Sequence, residues 1–134
     1  MTIDELRDLR YLSMEIELQD RQIEELRHPK HHMTAAQWGE YVDAARPLIE
    51  LSLERKEACE RQIEGIQRFL DSIEDDFLRD LFYKHYGKGW KWNELSDWAF
   101  DKYGLQYEPD SLKKMCYRYM GKTDPGNCYS VMEE

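Results

Sequence analysis

Residues 76–122 read DFLRDLFYKHYGKGWKWNELSDWAFDKYGLQYEPDSLKKMCYRYMGK, and this stretch decides the fold. Phe77, Leu78, Leu81, Phe82 and Tyr86 recur at one-, three- and four-residue steps, which predicts an amphipathic helix from about Ile73 to Tyr86. Ser72 with Asp75 makes a capping pattern ahead of it, and Asp75 and Asp76 add negative charge where the helix dipole favours it. Lys84 falls in the last turn, Gly87 is placed to end the helix, and Gly87 with Gly89 supplies a tight connection. A second helix, about Trp92 to Tyr103, directs Trp92, Leu95, Trp98, Ala99 and Tyr103 inward and ends at Gly104, a natural left-handed cap. Pro109 next takes a first helical position, where its missing amide donor costs nothing. The third helix then carries Leu112, Met115, Cys116, Tyr119 and Met120 as a one-sided apolar face.

The opposite face of that third helix presents Ser111, Lys113, Lys114, Tyr117 and Arg118, with Lys122 just beyond the helix end. Lysine and arginine neutralise phosphates and release counterions, and Arg118 and Ser111 have the chemistry to reach base edges. These six are the candidate DNA-binding residues. The plain alternative is a solvated basic face, which any amphipathic surface helix displays.

Upstream, no Gly or Pro interrupts Ile3 to Arg27, and Leu9, Leu12, Ile16, Gln19, Ile23 and Leu26 form a heptad seam. Thr2 with Glu5 resembles a capping box, so the first helix should begin near residue 2. Pro29, in the run HPKHHMT from His28 to Thr34, places a turn. His28, His31 and His32 lie there without a Cys or carboxylate at ligand spacing, which favours a surface loop over a metal site. Thr34 can cap a second helical stretch, which Pro47 is expected to kink or restart. Ile49, Cys59, Ile63, Ile66, Leu70 and Ile73 continue a second stripe, with Ser52 and Lys56 as polar interruptions. Two striped helices joined by a short turn pack antiparallel, and the same stripes can also pair between chains as a homodimer. The charged residues outside the seam, among them Glu24, Arg27, Glu54, Arg55, Glu57 and Arg61, read as a solvated face. The expected architecture is therefore all-α: an antiparallel helical hairpin, a coiled-coil stalk, over 1–72, a small helix-turn-helix unit over 73–122, and a tail over 123–134.

With 41% hydrophobic and 13% aromatic residues, the 134-residue chain has enough apolar surface to fold despite 35% charged residues. Its net charge of −9 opposes coating of nucleic acid through bulk positive potential. Charge is uneven, however: residues 1–70 hold 15 acids and 10 bases, whereas residues 79–122 hold 6 acids and 9 bases. Cys59, Cys116 and Cys128 are widely spaced in a sequence with no secretory leader and no bilayer-length apolar run, which predicts reduced thiols, a cytoplasmic setting and no membrane. Catalytic chemistry is not expected, because the sequence has no phosphate-cradling glycine loop, nucleophile elbow or His-Glu metal pairing. Glu94, Asp97 and Asp101 read as a solvated acidic stripe, and no cofactor is implied.

The segment LRDLFYKHYGKGWKWNELSDWAFDKYG, followed by EPDSLKKMCYRYM, resembles the helix-turn-helix of sigma factor region four. It is similar in particular to phage-encoded late-transcription regulators of the ArpU-like group. There a basic or aromatic pair near a helix end precedes glycine, and a Trp-x-x-hydrophobic step opens the next helix. Here His85 and Tyr86, then Gly87 and Gly89, then Trp92 with Leu95, match that pattern. The resemblance implies double-stranded DNA as ligand, RNA polymerase as a further partner, and Ser111, Lys113, Lys114, Tyr117 and Arg118 on the DNA-facing helix. Two other functions fit the composition. One is an acidic phage-encoded inhibitor of the anti-defence, anti-CRISPR type, which occupies a basic host protein's nucleic-acid channel; the other is a DNA-packaging adaptor.

Overall fold

A computed structural model describes residues 1–123, the last two by their backbone alone. The protein is all-α among these residues. Its helices are α1 (Ile3–Arg7), α2 (Leu9–Arg27), α3 (Ala35–Asp71), α4 (Asp76–Phe82), α5 (Trp92–Tyr103) and α6 (Pro109–Thr123), with a π-helical turn, Tyr83–Gly87, directly after α4. The expected tail lies outside the described residues from 124 on, as does Cys128, while Thr123 belongs to α6. Lys122 is likewise inside α6 rather than beyond it.

The chain divides into two compact units, Tyr11–Glu64 and a second made of Met1–Arg10 with the described residues from Gly65 on. The sequence reading assigned residues 1–72 to the hairpin; the second compact unit includes the first ten residues and 65–72 of that span.

Tyr11–Glu64 is the hairpin. Leu12, Gln19, Ile23, Ala45 and Ser52 are buried along its seam. Near the turn the Tyr41 hydroxyl donates to the Leu26 carbonyl at 2.8 Å, and farther along Lys56 Nζ meets Asp20 Oδ1 at 2.8 Å. Residues later in α3 thus meet residues earlier in α2, which is the antiparallel order. Thr34 caps α3 reciprocally: its hydroxyl accepts from Gln37 N at 3.2 Å, and Gln37 Oε1 accepts from Thr34 N at 3.0 Å. Pro47 does not restart the helix; α3 runs through it without a break. Pro47 and Asp43 are both exposed, so water can satisfy the Asp43 carbonyl that loses its intrahelical donor.

The second unit closes over Ile3, Leu6, Leu9, Ile66, Leu70, Ile73, Leu81, Phe82, Leu95, Ala99, Leu112, Cys116 and Met120, all buried. Thr2 caps α1, its hydroxyl accepting from Glu5 N at 3.2 Å. The helix expected from Ile73 begins three residues later. Asp75, not Ser72, is its cap, with Oδ1 accepting from Leu78 N at 2.8 Å. Ser72 instead donates its hydroxyl to the Phe69 carbonyl and closes the end of α3. This leaves Ile73 fully buried in the connection rather than in the first turn of a helix. Around Phe77 the aromatics pack tightly: it stacks on Trp98 at 5.6 Å and meets the Tyr103 ring edge-on at 5.2 Å.

Candidate nucleic-acid interface

α5 and α6 pack on each other and are joined by a pinned turn. Gly104 adopts φ 68° and donates its N–H to the Phe100 carbonyl at 2.9 Å, ending α5 as a left-handed cap. The Ser96 hydroxyl reaches across the turn to the Tyr107 carbonyl, which fixes the approach to α6. Pro109 then opens α6, and Leu112 N donates to Glu108 O at 3.2 Å. At the other end of α5 the Lys91 N–H donates to Glu94 Oε1 at 3.1 Å, so glutamate three residues on supplies the capping that a lysine side chain cannot.

The six sequence-nominated residues do not share one face. Lys113 and Arg118 are five positions apart and so lie about 140° apart around α6. Arg118 is exposed, on the side of Ser111 and Lys114, and opens onto a cavity of about 680 Å³ whose lining includes Glu74, Asp75, Phe77 and Tyr119. Lys114 is exposed and pairs with Asp110 at 3.1 Å within its own helix. Ser111 is half-buried, and Lys122 contributes its place on the α6 backbone. Tyr117, expected on the outer face, is instead only 9% exposed, and its hydroxyl accepts a hydrogen bond from Arg7 Nη2. On this flank α1 brings Arg7 to the hydroxyl, and the tyrosine, at the border of the apolar face, is drawn inside.

Lys113, half-buried, holds its Nζ 5.9 Å from the Tyr117 ring centroid, and the Arg7 guanidinium lies 6.0 Å from the same centroid. The neighbouring π turn adds His85. The His85 ring stacks on Trp92 at 3.8 Å, and its Nδ1 lies 2.7 Å from the Trp90 carbonyl. A carbonyl only accepts, so Nδ1 carries the hydrogen and Nε2 is the acceptor of the neutral ring. Burial pushes the His85 imidazole below its ordinary pKa, and the positive charges of Arg7 and Lys113 push the same way against the Trp90 carbonyl. The wide turn closes with Lys88 N donating to Tyr83 O at 3.0 Å, five residues back, and Trp90 N to Lys84 O at 2.9 Å. Gly89, not Gly87, then takes the positive φ, 78°.

No protein-family model, curated protein or solved structure matches the chain.

Electrostatic partners separate this surface from the α4–α5 side. There the cations are engaged: Arg79 with Asp76 at 2.5 Å and Lys102 with Asp80 at 3.3 Å. The Asp80 carboxyl, although penalised by burial, is held below the usual range by Tyr103 and Lys102. Burial and then the Asp71 carboxylate push the Tyr83 phenol up to about 12. Among the described residues, Arg10, Lys88, Lys91, Lys113 and Arg118 form no ion pair. Lys84 is held over indole rings, 4.4 Å from Trp90 and 5.3 Å from Trp98. Cys116 is buried, and burial raises its thiol pKa, as suits an inert core thiol. No group of three His, Cys, Asp or Glu side chains among the described residues is arranged to hold a metal, and no described helix is long and apolar enough to cross a membrane.

Sequence reasoning missed Arg7 and Arg10. Both sit at the start of the heptad run, within the span expected to form the stalk. The available signal was Asp8, where α1 ends before α2 begins, but no residue type there marks a break.

Proposed function

We propose that the unit carrying α4–α6 binds double-stranded DNA as a helix-turn-helix, in a phage or prophage transcription regulator resembling sigma region four. One observation carries this reading: Lys113 and Arg118 make no ion pair with the protein's own carboxylates among the described residues. Lys114, by contrast, pairs with Asp110 at 51% and 70% side-chain exposure, a bond worth a few tenths of a kcal/mol and readily exchanged for a phosphate. The acidity that opposes DNA binding is concentrated elsewhere. Residues 79–122 hold 9 basic and 6 acidic residues, whereas the rest of the chain holds 10 and 22, of which the hairpin unit, 11–64, has 7 and 12.

Fluorescence anisotropy on duplex fragments across a salt series tests the reading. If about four phosphates are neutralised, the logarithm of affinity falls against the logarithm of salt with a slope near −3.6. Alanine at Lys113, Lys114 and Arg118 together flattens that slope; unchanged duplex retention in the triple variant refutes it. The acid excess of the hairpin favours a second role for that unit, contact with a basic protein such as a surface of RNA polymerase. Neutralising Asp20, Glu24 and Glu60 then weakens co-sedimentation with the purified polymerase and spares duplex binding.

A further inference from the structure

Arg7, Arg10, Lys88 and Lys113 come from three separate stretches of sequence, yet the second unit gathers them around two short-range contacts. Arg7 donates to the hydroxyl of Tyr117 from 110 residues away, and Lys113 stands 5.9 Å from that ring. His85 feels the charge of both cations. Arg10 lies against Gly89: a Cβ built on that glycine would stand 2.4 Å from Arg10 Nη1 and 2.5 Å from its Cζ. Only a residue without a side chain leaves that space for the guanidinium, and Lys88 is the next residue along. Gly89 N donates to His85 O at 3.1 Å, which ties the Arg10 contact to the turn that carries His85.

Holding like charges together is unfavourable unless something negative is drawn to them. The single carboxylate within ion-pair distance of these four cations among the described residues is Asp4, 3.4 Å from Arg7 Nη1 and 91% exposed. Such an exposed pair is weak and yields easily to a better anion. A phosphate suits the geometry chemically: a guanidinium offers a planar fork of donors and an ammonium a point charge.

We propose that Arg7, Arg10 and Lys113, arranged around Tyr117, His85 and Gly89, form a phosphate-binding site through which the amino-terminal segment contacts the nucleic-acid backbone. The inference deepens the DNA-binding reading and rests on it for the identity of the ligand, a backbone phosphodiester. Free inorganic phosphate shares the chemistry and serves as the separate probe. The site adds a phosphate contact on the flank of α6 that carries Lys113, and Arg7 and Arg10 give a segment before the helix-turn-helix a direct part in affinity.

Two measurements on the full chain test it. In the first, duplex anisotropy is followed across salt for the natural protein and for Arg10→Ala with Lys113→Ala. Losing two phosphate contacts reduces the magnitude of the salt slope by about 1.8. Arg7→Lys, which keeps the charge but forfeits the fork, serves as the third variant, since removing Arg7 outright also deprives Tyr117 of its donor. Circular dichroism confirms that each variant is folded; if the double variant unfolds, each single variant carries the same comparison with an expected change of about 0.9. In the second, the His85 ring signals are followed by NMR as inorganic phosphate is added; the site predicts a saturable shift that the double variant lacks. A natural protein that binds duplex with a slope that the folded Arg10→Ala single variant leaves unchanged overturns this site and leaves the helix-turn-helix reading, which does not use Arg10, standing. A natural protein that ignores duplex but shifts His85 with phosphate keeps the anion site and removes the DNA reading. No duplex binding and no phosphate shift overturn both.

Discussion

Replacing Gly89 with alanine measures how firmly the amino-terminal arginine is held against the turn after α4. Gly89 and Gly104 both have positive φ, 78° and 68°. An L-residue in that conformation costs roughly 1–2 kcal/mol, so both substitutions carry a similar strain. They differ in what the new methyl meets. At Gly104 nothing lies within 4 Å, whereas at Gly89 the Arg10 guanidinium fills the space at 2.4–2.8 Å. Arginine is flexible and can swing away, so the extra cost is at the low end of overpacking, about 1 kcal/mol. Gly104→Ala should therefore lose about 1–2 kcal/mol and Gly89→Ala about 2–3 kcal/mol, the sum of strain and displacement. In an Arg10→Ala background the excess at Gly89 disappears, giving a coupling of about 1 kcal/mol in the double-mutant cycle. Urea unfolding followed by tryptophan fluorescence suits the question, because Trp90, Trp92 and Trp98 belong to this unit and only Trp38 to the hairpin. With a urea slope of about 2 kcal/mol/M, 1 kcal/mol moves the midpoint by about 0.5 M. A coupling indistinguishable from zero would refute the reasoning, since the guanidinium would then not rest on Gly89 at all.

His85 gives a pH signature: its pKa in the folded protein is lowered, chiefly by burial, so below the ordinary value of 6.5 the unfolded chain binds the proton more readily. Stability of this unit should fall as pH drops from about 6.5, and His85→Gln should flatten that dependence; identical pH profiles for the two proteins in urea titrations would show that the imidazole is not desolvated. In the hairpin, Gln19 is 1% exposed, and its Oε1 has no partner among the described residues although Nε2 donates to Glu15 at 2.8 Å. Gln19→Leu removes an unsatisfied buried acceptor and should raise stability by about 1 kcal/mol, read as a gain of a few degrees in Tm by circular dichroism. A lower Tm would mean that ordered water satisfies that oxygen.

The identity of the helices was legible wherever the deciding interactions are local. Thr2, Thr34, Gly104 and Pro109 act on amides or carbonyls within about one turn, so their roles can be read from spacing alone, and α5 runs from Trp92 to Tyr103 as expected. The seam positions Leu12, Gln19 and Ile23 are buried because their period of three and four residues is a property of the helix itself. Pro47 and Ser72 mark the limit of that logic. A proline ends a helix only where its freed carbonyl goes unsatisfied, and a serine caps whichever helix end the chain direction offers it; exposure and the path into Ile73 settled both.

The candidate site was legible in its residue types and not in its arrangement. Lys113 and Arg118 announce positive charge on α6 in the sequence, but the same sequence places Tyr117 beside them as an outward ring. Tyr117 lies at the border of the apolar face, where either side is compatible with helical periodicity, and α1 decides by laying Arg7 against its hydroxyl. Arg10 beside Gly89 and the π turn that presents His85 are likewise products of packing between segments far apart in the chain. Where a cap or stop acts within about one turn, as at Thr2, Thr34, Gly104 and Pro109, the helix end is written in the sequence. Which cations converge on one surface depends on contacts that exist only after those helices have packed, and that was decided by the tertiary structure.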